Sequence, residues 1–341
     1  MVDPFPVQKV KRVDSKGVHA TYEKWPSLAR DGFRVKVELP ARDFKKVFVL
    51  GMGGSASGGD IIAGWLVGRP GVEMAVFKGQ LPIGDLSDAI AIACSASGQT
   101  VETIGMLKTA LERKAHVVSI SGGGELKEVS ASLGVPNITI PKFVAPRYIF
   151  PFILFSTLAV VNRGLALECE EEAEDALSSM EEEGTHLGVG VAPPANGAKV
   201  LAAKILRRTP AIYGARVTRG VGIRFKNILN ENAKKHALFD GIPDAFHNDI
   251  QAWEDPTDAF VPVFVRHSEE SPSDSAREDE MVSILARAGK GPIQVRGRGR
   301  SSLAQLVTMV YRLDLTSYYI AIGLGRDPFP TRFIDRLKKS R

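Results

Sequence analysis

The sequence predicts an α/β protein of two domains, each a mostly parallel sheet flanked by helices. Three observations predict it: short apolar β-type runs alternate with helical stretches, the alternation occurs in two separate series, and an acidic then Gly/Pro-rich interval divides them. A length of 341 residues suits two ordinary domains, given roughly 100–200 residues per domain. The expected boundaries are an N-terminal domain over 1–167, an acidic helical linker over 168–197 and a C-terminal domain over 198–341.

The first series reads VFVLG (47–51), AIAIACS (89–95), HVVSIS (116–121) and VPNITI (135–140) as strands, with VETIGMLKTALERK (101–114) as an intervening helix. Strands separated by helices need crossover connections, which favour a parallel sheet covered on both faces. The run 148–161 closes this unit as a buried helix. It is shorter than the roughly 18 residues of a membrane-spanning helix and contains Pro151, so no membrane association is expected. The segment 168–183, ECEEEAEDALSSMEEE, reads as a solvated linker helix rather than an acidic recognition tail. After the Gly-, Pro- and Ala-rich stretch 184–197 come a helix at 198–208, strand PAIYG (210–214) and a helix around 221–235. Strand 258–267, helix 276–289, strand 292–297 and a long helix over 303–324 complete the series. No close sequence repeat links the halves.

Hydrophobic residues at 44% and charged residues at 24% place the chain among soluble globular proteins. Lys plus Arg number 44 against 39 Asp plus Glu, a net charge of +5 that suits nucleic acid or a small anionic substrate. The densest basic cluster, Arg296, Arg298 and Arg300, has no interleaved aromatic residue to stack bases, which argues against a nucleic-acid partner. Cys94 and Cys169 stand far apart without CxxC or Cys/His spacing. Neither a disulfide framework nor a zinc site is expected, and a reducing, cytoplasmic setting follows. The N-terminal MVDPFPVQKVKRVD lacks the apolar core of a secretory signal.

Two loops carry the chemistry. Gly51 to Asp60, GMGGSASGGD, follows strand KVFVL and precedes helical IIAGWLVG, so Gly53, Gly54 and Ser55 present backbone amides at a helix N-terminus. A dinucleotide fingerprint competes, but the spacing is not GxGxxG; a purely structural turn is the other alternative. The second loop, SASGQTVET (95–103), again joins a strand to a helix. Ser95, Ser97 and Thr100 place three hydroxyls within six residues, a neutral cradle for a phosphate. A simple N-cap by Ser97 or Thr100 would explain one hydroxyl but not the cluster.

These paired loops resemble those of the sugar isomerase (SIS) domain, in which SxSGxT holds a phosphosugar's phosphate. Pro146-Arg147-Tyr148, the segment Arg224 to Lys234, His247-Asn248-Asp249-Ile250 and Thr331 to Lys338 narrow the resemblance to the archaeal-type bifunctional phosphoglucose/phosphomannose isomerases, from about Lys46 to the end. The resemblance implies two SIS-type domains, hexose 6-phosphate substrates, no metal and no cofactor. It implies Glu231 as the base, Arg147 as the cation over the enediolate, and His247 with Lys338 as ring-opening groups. It also implies that Thr331 allows both C2 epimers and that a homodimer shares His247 across its interface. Ala56, Ala96 and Gln99 depart from the family's usual glycine, aromatic and asparagine while keeping the hydroxyls.

The chemistry is derivable independently. Moving a carbonyl from C1 to C2 needs a base for the C2 proton, a fixed positive charge for the enediolate and an acid to open the ring. Each assignment has an ordinary alternative: Glu231 as a helix-surface carboxylate, Arg147 as a helix-start residue, His247 as a buried histidine, Lys338 as a solvated tail. Two other functions fit the loops, a related isomerase of an amino sugar or pentose phosphate and a phosphosugar-binding regulator without turnover.

Overall fold

The computed structural model describes residues 4–40, 44–81 and 84–339. Three helices precede the first sheet: α1 (Val7–Val13), α2 (Val18–Glu23) and α3 (Trp25–Phe33). Pro26 stands in the first turn of α3, where a missing N–H leaves no bond unmade. The chain then alternates through β1 (Lys46–Gly51), α4 (Gly54–Trp65), β2 (Glu73–Phe77), β3 (Ala89–Ser95) and α5 (Val101–Glu112). It continues with β4 (His116–Ser121), α6 (Gly124–Ser132), β5 (Asn137–Thr139), a 3-10 turn at Pro146–Tyr148 and α7 (Phe150–Leu165).

These strands form a five-stranded parallel sheet in the order β2-β1-β3-β4-β5. Central β3 is buried at every residue, and AIAIACS is correspondingly apolar without alternation, because both sheet faces are covered. Helix α7 packs on α3, α4 and β3. Gly59 on α4 permits close approach to the sheet, since a Cβ there would sit 2.8 Å from Cβ of Val49.

The second series comprises α8 (Glu170–Leu187), α9 (Gly197–Ile205), β6 (Thr209–Gly214), α10 (Arg219–Ala233) and β7 (Leu238–Gly241). After 3-10 turns at Asp244–His247 and Asp249–Glu254 come β8 (Phe260–Arg266), α11 (Pro272–Arg287), β9 (Ile293–Arg296), α12 (Ser302–Gly323) and α13 (Arg332–Lys339). The sheet is parallel, in the order β7-β6-β8-β9. The α/β class with two parallel sheets is therefore as expected. Strands β2 and β7 were not expected. Both are half-buried edge strands, and EMAVF and LFDG are too short and mixed to stand out as apolar runs.

Two compact units result: Lys24–Ser178 with Arg300–Ala304, and Met1–Glu23 with Ser179–Gly299 and Gln305–Arg341. Helices α1 and α2 belong to the second unit, where Tyr22 Oη accepts from Asn232 Nδ2 at 2.9 Å and Tyr318 Oη donates to Asp14 at 2.9 Å. The unit boundary at Ser178 lies within α8.

The expectation of a solvated acidic helix holds for Glu170, Glu171, Glu174, Glu181 and Glu182, which are exposed, and is corrected on the opposite face. Ala173, Ala176, Leu177 and Met180 are buried along one face of α8. Its acids are engaged: within the first unit Glu172 accepts from Trp65 Nε1 at 2.8 Å and pairs with Arg69, and Asp175 caps the amides of Arg300 and Ser301. Within the second unit Glu183 pairs with Arg312 at 2.6 Å and Arg298 at 3.4 Å. Arg298 and Arg300 of the basic cluster thus pair with this helix, at Glu183 and Asp175.

Candidate active site

In the first sheet the strand order reverses between β1 and β3. Loops leaving the carboxyl ends of such adjacent strands border a crevice that neither covers, the usual ligand position in open parallel sheets. Both candidate loops arise there. Gly53 caps α4 with φ +52° and ψ −126°, a conformation open to glycine, and offers no side-chain cap. Ser55 Oγ accepts from the Ala96 amide at 3.2 Å, joining the two loops.

Ser95 Oγ and Thr100 Oγ1 lie 2.9 Å apart, and the Gly98 amide donates to Ser95 Oγ at 3.1 Å. Thr100 occupies the N-cap position of α5, yet makes no side-chain capping bond. Its hydroxyl braces Ser95 instead, so the first amides of α5 have no hydroxyl cap, and α4 starts the same way. Two helix starts with positive dipole ends, lined by hydroxyls, suit a phosphate without any charged side chain. Gly98 holds φ +68°, and a Cβ there would lie 1.7 Å from the Gly123 carbonyl oxygen. Gly53, Gly54, Ser55, Ser95, Ser97 and Thr100 are therefore gathered at one crevice, with Ser97 Oγ accepting from the Gln99 amide at 3.2 Å.

Arg147 belongs to the same unit. It is buried, its guanidinium lies 4.5 Å from the Tyr148 ring centre, and its 3-10 turn packs against α4. Trp25 Nε1 fixes that turn by donating to the Tyr148 carbonyl at 3.0 Å.

The second sheet reverses its order between β6 and β8, but its crevice is filled from within. Arg266, the last residue of β8, pairs there with Glu278 at 2.6 Å and with Glu270 at 3.1 Å. Burial first and the Glu270 charge second push the Glu278 carboxyl up to about 8, against the pull of Arg266.

The candidate base of this unit lies instead at the end of α10. Glu231 sits in its last turn and lines an open cleft of about 720 Å³ with Asn230, Lys234, Arg326, Thr331 and Phe333. Arg326 Nη1 donates to the carbonyls of Ala233 and Lys234 at 2.9 and 2.8 Å, and Lys234 Nζ reaches the Asp327 carbonyl, so the cleft's two walls are tied. Thr331 Oγ1 donates to Asp335 at 3.2 Å. Glu231 and Thr331 thus share a cleft. Lys338 is exposed on α13 and His247 exposed on its 3-10 turn; neither lines it. Sequence reasoning missed Arg326, because a helix-capping arginine in a loop carries no local signal.

Cys94 and Cys169 are free, buried thiols, each pushed up to about 12 mainly by burial. Among the described residues no helix is long and apolar enough to cross a membrane, and no group of three or more His, Cys, Asp or Glu could hold a metal ion.

Residues 195–340 match the family model of the bacterial phospho-glucose isomerase C-terminal SIS domain. The chain is 30% identical over 312 residues to a bifunctional phosphoglucose/phosphomannose isomerase of Pyrobaculum calidifontis, covering 91% of each chain. It is 28% identical to a D-glucosamine-6-phosphate 4-epimerase of Sulfolobus acidocaldarius, over 78% of this chain and 80% of that one. A glucose-6-phosphate isomerase-like protein of Thermus thermophilus shares the fold with a TM-score of 0.64 at 20% identity, all of both chains being covered.

Proposed function

This chain belongs to the bifunctional phosphoglucose/phosphomannose isomerase family, and on that premise we propose that it interconverts glucose 6-phosphate and mannose 6-phosphate with fructose 6-phosphate. Glu231 takes the C2 proton of the open-chain aldose and returns it at C1. Between the two steps the charge rests on a cis-enediolate, which the Arg147 guanidinium stabilises. His247 and Lys338 open the cyclic sugar. The enediolate has lost its C2 configuration, so a pocket that lets C2 turn about C2–C3 accepts both epimers, and the small Thr331 leaves that room.

The observation that carries this reading is the shared cleft of Glu231 and Thr331, a hundred residues apart in sequence. The hydroxyl-lined helix starts support a phosphate cradle of Gly53, Gly54, Ser55, Ser95, Ser97 and Thr100. We assign that cradle to an N-terminal SIS domain (1–167), and the base to a C-terminal one (198–341) beyond the helical linker. His247, exposed and outside the Glu231 cleft, fits a group that serves the partner's site in a homodimer. Two free, buried thiols fit a cytoplasmic enzyme.

Separate coupled assays with glucose 6-phosphate, mannose 6-phosphate and glucosamine 6-phosphate test the substrate class. Turnover of both hexose phosphates is expected, falling about 10²–10⁴-fold in Glu231→Gln with KM little changed. Turnover of the amino sugar alone, or more than half the activity retained in the variant, would overturn the reading.

A further inference from the structure

Behind the turn that carries His247, a phenol, a carboxylate and an indole meet that no role above requires. His247 ends the 3-10 turn Asp244–His247 and is exposed on it. On its N-terminal side the turn is anchored by packing: Ala245 is buried in a cluster with Tyr213, Ile242 and Phe264, and Phe246 packs against that cluster. On its C-terminal side the second 3-10 turn, Asp249–Glu254, starts at once, with the Asn248 side chain accepting from the Asp249 amide.

That second turn packs Ile250 and Trp253 against the same cluster, and one hydroxyl ties it to the strand. Tyr213 Oη donates to the Asp249 carboxylate and accepts from Trp253 Nε1 at 2.7 Å. Tyr213 is buried near the end of β6, its ring 5.1 Å from that of Phe264. Burial, and then the Asp249 charge, raise its pKa, so the phenol keeps its proton and remains a donor. A strand end thereby fixes Asp249 and Trp253, the first lying two residues beyond His247. Short 3-10 turns have poor internal hydrogen-bond geometry and depend on such ties. Beneath them an open cleft of about 190 Å³, bordered by Tyr213, Asp249, Trp253, Leu238 and Phe260, gives the segment room to shift once released.

We propose that Tyr213, Asp249 and Trp253 are positioning residues for His247, holding its turn in the one orientation from which the imidazole reaches the sugar. The inference rests on the ring-opening role proposed for His247. Misplacement of a catalytic group by about 1 Å costs on the order of 10²-fold, so the tether bears on kcat, while the phosphate loops that set substrate affinity lie in the other unit.

The test is steady-state kinetics on the full chain with glucose 6-phosphate, with thermal melting to confirm folding. Tyr213→Phe should lower kcat about 10-fold or more and leave KM within about 2-fold. Asp249→Leu should behave alike, whereas Asp249→Asn, which still accepts from the phenol, should restore most of the rate. In a His247→Ala background Tyr213→Phe should cost nothing further, because no imidazole remains to be placed. A folded Tyr213→Phe protein with more than half the wild-type kcat, or a loss that multiplies with that of His247→Ala, overturns the tether. Full activity in His247→Ala alone would refute the role of the histidine itself, a separate failure. Should Tyr213→Phe not fold, Trp253→Phe removes the second tie with the Tyr213–Asp249 bond left in place. A folded Trp253→Phe protein at wild-type kcat would equally refute the proposal.

Discussion

Removing the Asp314 carboxylate should destabilise the unit that carries Glu231 far more than removing its whole ion pair. Arg224 lies on α10, two turns before Glu231. Its Nε and Nη2 donate to Asp314 on α12 at 2.9 and 2.6 Å, and the two side chains are only 4% and 1% exposed. Asp314→Ala leaves a buried guanidinium without its counter-charge, a loss of about 3–5 kcal/mol. The double variant Arg224→Met with Asp314→Leu removes both charges and keeps apolar volume, and should fall within about 1 kcal/mol of wild type. Of the three tryptophans only Trp253 lies in this unit, so its fluorescence during urea unfolding reports the unit's stability. The midpoint should move while the slope stays constant. Loss of less than about 1 kcal/mol in Asp314→Ala, or equal losses in the single and double variants, would refute the reasoning.

Gly98→Ala should raise KM for hexose 6-phosphates about 10-fold or more, because a Cβ at φ +68° meets the Gly123 carbonyl and the loop must move; an unchanged KM would place the phosphate elsewhere. Glu278→Gln tests the filled crevice of the second sheet through pH. The folded carboxyl holds its proton up to about 8, whereas the unfolded one releases it near about 4.3, so its contribution is full below the lower value and is lost as pH rises through the upper. The glutamine variant should therefore gain stability relative to wild type as urea midpoints are followed from about pH 5 to about pH 9, and a flat difference would contradict the assignment. On the proposal that His247 serves the partner's site in a homodimer, co-expressed Glu231→Gln and His247→Ala chains should recover part of the activity that each lacks alone, because one site of a mixed dimer would then hold both intact groups. A mixture as inactive as its parents would mean that His247 serves its own chain.

The sequence by itself determined the alternation of strands and helices, the two-sheet class and the two glycine- and hydroxyl-rich loops that leave the first sheet. Burial dictates these locally: β3 must be apolar throughout because both its faces are covered, and glycines mark where a strand turns into a helix. Edge strands β2 and β7 escaped notice because half-burial asks little of their residues. The acidic helix misled for a related reason. Glutamates count as solvated until a partner is known, and the partners of Glu172, Asp175 and Glu183 are arginines, amides and an indole far along the chain.

Only the tertiary structure could decide that Thr100 braces Ser95 rather than capping its helix, since both uses are open to one hydroxyl at the same position. It alone brings Glu231 to Thr331 through the ties of Arg326 and Lys234, and Tyr213 to Asp249 and Trp253. Local sequence records what each residue can bond. Which bond is made depends on groups that only folding carries within reach.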